Sequence, residues 1–424
     1  MIAIDRSISP KIYSTTSLEI PDVKKIPLSN GIDIYCVNLG TQELVQVEFL
    51  FRGGRFIEKK MGTAKAAFRI LKEGTKNYSG KSIAESIDFY GANIMTGASL
   101  DYSFAKIFTL KKHFSSVFPI LEEVILKPQF AEAELAKYKK TSKEKLKVEM
   151  AKTELVAYRK ITEDLFGKSH PYGYNSTPDI YDDLTINDLQ DFHKLNNENS
   201  KWSVVISGKL DDEIINTVVD SLSNLHINTK TITNTPDTEN IPQQKKILVP
   251  NQLQSALKIG KRMFNRHHSD FYDMFILNTI LGGYFGSRLM NSLREEKGYT
   301  YNIYSSIDML IWDGYFQVST EVGNEYLDDT IDGIFLEIGK LKQDLVGEEE
   351  LSMVKNYLSG NFLNMIDGPF KVAGMTKILA LNDLKFDFYT GLMDRIHSIS
   401  SHDLLNIAQK YLSRDSLHQI VVGS

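Results

Sequence analysis

Cysteine occurs once in the 424 residues, at Cys36, so no internal disulfide can form and no thiolate cluster can hold a metal. Histidine is scarce as well. There are nine, none paired at the i, i+4 spacing of a helical metal site; His267 and His268 are adjacent, and His397 and His402 lie five apart. With 11 prolines and 27 glycines the chain is too poor in both for a collagen-like or low-complexity protein. No run approaches the ~18 apolar residues that a membrane span needs. The segment from Met1 to Arg6 lacks the apolar core of a signal peptide. Lysine plus arginine total 49 against 54 acidic residues, and a net charge of -5 gives no broad attraction for nucleic acid or anionic membrane. The expectation is a cytoplasmic protein that binds neither. What is present, 42% hydrophobic and 24% charged residues, is the composition of a globular chain long enough for two or three cores.

The chain reads as a doubled unit. A helix-like segment around Asp188 and Leu189 precedes an apolar strand ending at Gly208; the same order recurs with Asp403, Leu404 and Gly423, all at an offset of 215. Leu121-Glu122 matches Leu336-Glu337 at the same offset, and Glu134-Leu135 matches Glu350-Leu351 at 216. Three regions at offsets of 215 to 216 imply a duplicated domain. Between the copies, 228–242 holds five Thr, three Asn and two Pro, the composition of an exposed linker. The expected division is a first domain over 1–225, a linker over 226–246 and a second domain over 247–424.

Alternating or wholly apolar runs predict strands over 45–51, 103–110, 202–207, 301–307, 315–320 and 417–422. Helical periodicity predicts helices over 63–73, 82–90, 114–126, 131–166, 271–281 and 287–297. The strands 301–307 and 315–320 are close enough for a hairpin, so the class is α+β rather than a doubly wound parallel sheet. Two phosphate-binding look-alikes fail. Gly80-Lys81-Ser82 lacks the glycine five residues earlier, where Thr75 stands, and Gly282-Gly283-Tyr284-Phe285-Gly286 follows a helix rather than a strand. The lysine-rich stretch 137–160, interleaved with Glu144, Glu149 and Glu154, reads as a solvated helix face.

Two stretches carry a resemblance. The first runs from Gly62 through Lys65, Phe68 and Arg69 to Gly74-Thr75. It resembles the signature helix of the pitrilysin/insulinase peptidases, the M16 family, whose inverted zinc motif is H-x-x-E-H. The frame is kept and the ligands are not. Lys65 and Arg69 stand at the two histidine positions and Phe68 at the general-base glutamate; the further glutamate ligand falls on Lys145, with Glu144 one register away. Zinc needs lone-pair donors, whereas protonated lysine and arginine offer only N–H groups. No metal is therefore expected in this chain. The plain alternative, that Lys65 and Arg69 are surface cations, leaves it equally without one.

The second stretch, Gly286 to Tyr301, resembles the family's second-domain motif, in which an arginine and a tyrosine reach the substrate at the zinc. Arg294 and Tyr301 match it, and a guanidinium and a phenol can donate to a peptide carbonyl and its developing oxyanion. The alternatives are that Arg294 pairs with Glu295 or Glu296 and that Tyr301 is a strand residue. The segment from Tyr90 to Thr96, with Asn93, resembles the family's lead-in to an edge strand that docks peptides, here 103–110; Asn93 can equally be a turn residue. His170, in the family's helix-end turn, reads as a turn or cap residue rather than a catalytic one.

The resemblance covers the chain from about Leu28 onward. It implies two homologous domains, each a mixed, largely antiparallel sheet packed with helices, facing each other like a clamshell. Some members split their active site between a zinc-bearing subunit and a partner that keeps only the Arg and Tyr. This pattern implies a non-catalytic, substrate-binding subunit of a zinc-dependent endopeptidase acting on oligopeptides or unfolded segments. Zinc would then sit only in an active partner subunit with an intact motif, in a heterodimer. The alternative is a catalytically inactive structural or peptide-binding protein that self-associates.

Overall fold

In the computed structural model, which describes residues 19–227 and 241–424, the apolar runs become two sheets of matching design. The first half carries β1 (Lys24–Pro27), β2 (Asp33–Asn38), β3 (Leu44–Arg52), α1 (Thr63–Ile70), α2 (Gly80–Phe89), β4 (Asn93–Ala98) and β5 (Tyr102–Leu110). It continues with α3 (Phe114–Leu126), α4 (Glu132–Glu149), α5 (Thr153–Phe166), α6 (Pro178–Asp182), α7 (Ile186–Asn199), β6 (Trp202–Gly208) and α8 (Asp212–Ser223). The second half carries β7 (Gln244–Leu248), β8 (Gln254–Met263), α9 (Phe271–Asn278), β9 (Ile303–Met309), β10 (Gly314–Gly323) and α10 (Leu327–Gln343). It ends with α11 (Glu348–Met365), α12 (Pro369–Asn382), α13 (Asp387–Ser398), α14 (Ser401–Tyr411) and β11 (His418–Gly423).

The sheets run β1-β2-β6-β3-β5-β4 and β7-β11-β8-β10-β9. Without β1, the orders correspond strand for strand, and so do the directions. β2 is parallel to β6 and β7 to β11, while the remaining pairs are antiparallel. The duplication extends to caps. Thr185 and Asp188 form a capping box at the start of α7, and Ser400 and Asp403 repeat it on α14 at the offset of 215. The fold is α+β with two homologous domains.

Four expectations change in detail. The single helix over 131–166 is two helices, because Lys152 turns to extended geometry (φ -96, ψ 118) and restarts the chain as the N-cap of α5. The helix over 63–73 ends at Ile70, where the chain turns towards Gly74 (φ 159). The strand over 301–307 begins at Ile303, with Tyr301 in the preceding bend. The edge strand is β4, which contains Asn93, and β5 lies inside the sheet between β3 and β4. Of the expected linker, 228–240 lies outside the described residues.

All seven residues of β6 are buried, so alternation could not reveal which face meets the core. The reason is tertiary. One face of the first sheet packs on its own helices, including Phe68, Phe118 and Phe192. The other is covered by α12 of the second half, whose Val372, Ala373, Ala380 and Leu381 meet Val37, Leu50 and Val205. Reciprocally, Ala157, Ile161, Leu165 and Phe166 of α5 pack on Ala256, Ile420 and Val422 of the second sheet. The expected facing of two domains thus takes the form of an interlocked pair, each lending a helix to the other's sheet.

A charge pair accompanies each exchange, with its polarity reversed. Glu48 on β3 is 4% exposed and meets Lys377 of α12 at 3.1 Å. Lys258 on β8 is 2% exposed and meets Glu154 of α5 at 3.6 Å, with a further hydrogen bond to Ser319 Oγ. Register shows that the two positions are equivalent: Glu48 pairs with Val205, three residues before Gly208, and Lys258 with Ile420, three before Gly423.

The seam also holds two buried titratable groups. Asp101 accepts from the Tyr172 hydroxyl and from Ile311 N at 3.0 Å, tying one half to the other. Burial raises its carboxyl to about 6. His170, stacked on Phe166, accepts from Tyr172 N through Nδ1 at 3.0 Å, and burial followed by the charges of Arg262 and Arg55 lowers it to about 4. It is a turn residue, as its place in the sequence suggests. A raised acid contributes stability that is present below its unfolded pKa and lost as pH rises through about 6. A lowered histidine loses stability as pH falls from 6.5 towards 4. The two oppose each other between those limits, and one substitution separates them. Asp101→Asn can still accept from Ile311 N through Oδ1 while its Nδ2 donates to the Tyr172 hydroxyl oxygen, and its stability relative to the unmodified chain should drop by on the order of 2–3 kcal/mol between pH 8 and pH 4. Urea unfolding at the two pH values measures this, and a pH-independent difference would remove Asp101 from the account.

Candidate functional site

The degenerate helix starts where Gly62 adopts φ 88, and Glu58 reaches over its first turn to accept from Gly62 N at 3.2 Å and Ala64 N at 3.0 Å. The Tyr174 hydroxyl also bonds Glu58, whose carboxyl is nevertheless raised, chiefly by burial. Capped in this way, α1 presses Ala64, Ala66, Ala67 and Ile70 into the first core and leaves Lys65 and Arg69 on the surface. Phe68 turns inward, with its ring 5.7 Å from Phe51 and 6.3 Å from Phe192. At the glutamate position the chain has therefore placed a core residue.

Lys145 does face this helix. Desolvation, then the like charge of Lys145, lowers the Lys65 ammonium below its ordinary value, although the residue as a whole is exposed. Glu149, one turn beyond Lys145 and 3.6 Å from it, also acts on Lys65. Glu144 is exposed and takes no part in that set. Glu149, rather than Glu144, is the carboxylate beside Lys65 and Lys145, and its i, i+4 spacing from Lys145 is the sequence signal for it. Two ammoniums, a guanidinium and one carboxylate do not fit zinc, since only Glu149 offers a lone pair. Among the described residues no group of three or more His, Cys, Asp or Glu could hold a metal ion.

The second motif is assembled by a different local design. Residues 290–296 form a widened helical segment that ends at Gly298, φ 66. Thr300 then anchors the chain by donating to Glu321 O at 2.7 Å and accepting from Thr320 Oγ1 at 2.9 Å, and Asn302 N bonds back to Thr300 at 3.2 Å. Pinned on both sides, the backbone throws Tyr301 outward, 85% exposed. The Gly282–Gly286 loop packs against β9: a Cβ at Gly282 would stand 2.4 Å from Ser305 N, so only glycine lets the chain lie so close. Phe285, 61% exposed, also lies beside Arg294. The guanidinium sits 4.8 Å from the Phe285 ring and 5.1 Å from the Tyr301 ring. It also lies 3.5 Å from Glu295, so the local ion pair anticipated from sequence is present alongside the aromatic contacts. Phe285 had no role in the sequence reading, because a loop residue nine positions from Arg294 shows no periodic relation to it.

Asn93 is a strand residue at the start of β4, exposed, at the mouth of a cavity of about 220 Å³ also lined by Lys72, Ile83 and Ile87. It belongs to the first sheet. Among the described residues no hydrogen bond or ring contact joins it to Arg294 or Tyr301. The structure therefore brings Arg294 and Tyr301 together, gathers Lys65, Arg69 and Lys145 around the degenerate helix, and leaves Asn93 at a separate edge.

Fold and site together define a duplicated α+β chain of metallopeptidase type whose metal-binding helix has lost its ligands. The chain belongs to the M16 peptidase family: residues 37–173 match the insulinase (peptidase family M16) domain and 183–358 the peptidase M16 inactive domain. It is 23% identical over 350 residues to the uncharacterized zinc protease YmxG of Bacillus subtilis, covering 80% of this chain and 84% of that one. It is 24% identical over 315 residues to the non-peptidase homolog YmxG of Helicobacter pylori, covering 70% and 72%. The crystal structure of a peptidase M16 inactive domain from Pseudomonas fluorescens superposes with a TM-score of 0.87 at 20% identity, covering 95% of this chain and 98% of that one. No helix among the described residues is long and apolar enough to cross a membrane.

Proposed function

We propose that this chain is a non-catalytic, substrate-binding subunit of an M16-type endopeptidase, with the zinc supplied by a partner subunit that carries an intact motif. The observation that carries this reading is Arg294, half-buried beside the exposed rings of Phe285 and Tyr301 while the degenerate helix offers ammonium and guanidinium groups in place of ligands. Flat aromatic rings fix the guanidinium without consuming all its N–H groups, leaving donors for a peptide carbonyl. The exposed edge of β4 offers backbone hydrogen bonds to an extended oligopeptide or unfolded segment. Asn93 stands at one end of that edge.

The purified chain should hold no stoichiometric zinc by elemental analysis and should not cleave peptides alone. Co-purification with a chain bearing H-x-x-E-H, followed by chelator-sensitive turnover of the pair, would support the reading. Zinc bound at the Lys65 helix, or turnover by the isolated chain, would overturn it. A second reading, an inactive peptide-binding homo-oligomer, draws on the name of the Helicobacter pylori relative, a non-peptidase homolog. A stable homodimer that binds peptides and captures no zinc-bearing chain would favour it.

A further inference from the structure

Away from both motifs, α9, α11, α12 and α13 enclose a cavity of about 270 Å³ in the second half. Its wall is apolar and largely aromatic, including Phe275, Phe362, Phe388 and Ile378. Only Arg266 and Asn361 among its lining residues carry a polar side-chain group capable of charge or amide recognition, apart from the Tyr389 hydroxyl, which faces Met375 O at 3.5 Å. Two other cavities of comparable size differ. One is lined by Lys72, Glu73 and Asp88, and another by His193, Lys194 and Glu198.

Arg266 sets the chemistry. Its guanidinium makes one hydrogen bond, from Nη1 to Met309 O at 3.1 Å, and stands in no ion pair within 4.0 Å among the described residues. The carboxylate nearest in influence is Asp101, whose two oxygens are engaged by Tyr172 and Ile311 N. Burial lowers the guanidinium's affinity for its proton, but an arginine keeps its charge. A half-buried cation with several unused N–H groups at the wall of an apolar cavity is complementary to an anion with an apolar body. A guanidinium presents two parallel donors, which matches a carboxylate.

The geometry points to a binding site for a small apolar monocarboxylate of the medium-chain fatty-acid class, with its carboxylate on Arg266 and its chain among Phe275, Phe362 and Phe388. A chain of about eight to twelve carbons suits a cavity of this size. Ile378 and Phe362 belong to α12 and α11, so an occupant would brace α12, the helix that also covers the first sheet. The site is independent of the zinc partner and of the Arg294 surface.

Titration calorimetry of the full chain with decanoate, below its micellar concentration, is the test. Saturable one-to-one binding is expected, with decanol weaker by about tenfold or more because it lacks the charge that Arg266 reads. Arg266→Gln should abolish the preference for decanoate over decanol. Ile378→Trp, which fills the cavity and leaves Arg266 in place, should remove binding of both. Equal affinity for decanoate and decanol, absence of saturable binding, or binding untouched by both substitutions would each overturn the assignment. So would a hydrophobic peptide with a free C-terminus that saturates the site when decanoate does not. If Arg266→Gln does not fold, the decanoate–decanol comparison and Ile378→Trp still decide the matter.

Discussion

Arg294→Ala is expected to lower the turnover of the chain reconstituted with a zinc-bearing M16 subunit by roughly 10²–10³-fold, the size of the loss when one oxyanion donor is removed. The effect should fall mainly on kcat, because a donor that meets charge developing on the carbonyl oxygen acts more strongly in the transition state than on bound substrate. Stability should barely change. The side chain is 27% exposed, and its ion-pair and ring contacts among the described residues are with Glu295, Phe285 and Tyr301. Tyr301→Phe is the finer probe: it keeps the ring beside the guanidinium and removes the hydroxyl, so any loss belongs to the phenol as donor. If Arg294 serves only its pair with Glu295, then Arg294→Ala and Glu295→Ala will both leave turnover unchanged, and the substrate-contact role is lost.

Lys377→Met is expected to destabilise the chain by about 3–5 kcal/mol, the cost of leaving a buried carboxylate without its partner. Glu48 is 4% exposed in the central strand of the first sheet, where little water can reach it, and Lys377 comes from the other half of the chain. The double variant Glu48→Leu with Lys377→Met should recover most of that loss, since an apolar pair of similar volume removes the desolvation cost along with the attraction. Urea unfolding of the two single variants and the double gives the coupling directly. A change within about 0.5 kcal/mol for Lys377→Met, the range of ordinary surface substitutions, would show that the exchanged helix is held by its apolar face alone.

How much of this could be read in advance depended on where the information lies along the chain. The doubling was legible because capping and strand-end residues such as Asp188, Asp403, Gly208 and Gly423 are fixed by local geometry, so copies keep them in step. The replacement of the H-x-x-E-H residues was legible because it turns on residue identity alone: protonated Lys65 and Arg69 and the Phe68 ring have no lone pair to offer. Several strands, including β1, β2, β4, β7 and β8, were not among the runs expected from alternation. β8 and β2 are covered on both faces or lie beside the exchanged helices, which erases the period-2 signal. The break between α4 and α5 was hidden because Met150 to Lys152 contain neither Gly nor Pro.

By itself, then, the sequence determined the family, the duplicated α+β plan and the replacement of the H-x-x-E-H residues by Lys65, Phe68 and Arg69, since each rests on residue identity or on spacing within one element. Only the tertiary structure decided that α5 and α12 are exchanged, that Glu48 and Lys258 are equivalent positions of opposite charge, and that Phe285 joins Arg294 and Tyr301. These are contacts between residues far apart in the chain or on unrelated loops. Packing brings them together by burying apolar faces, and no periodicity in the sequence records which face will meet which.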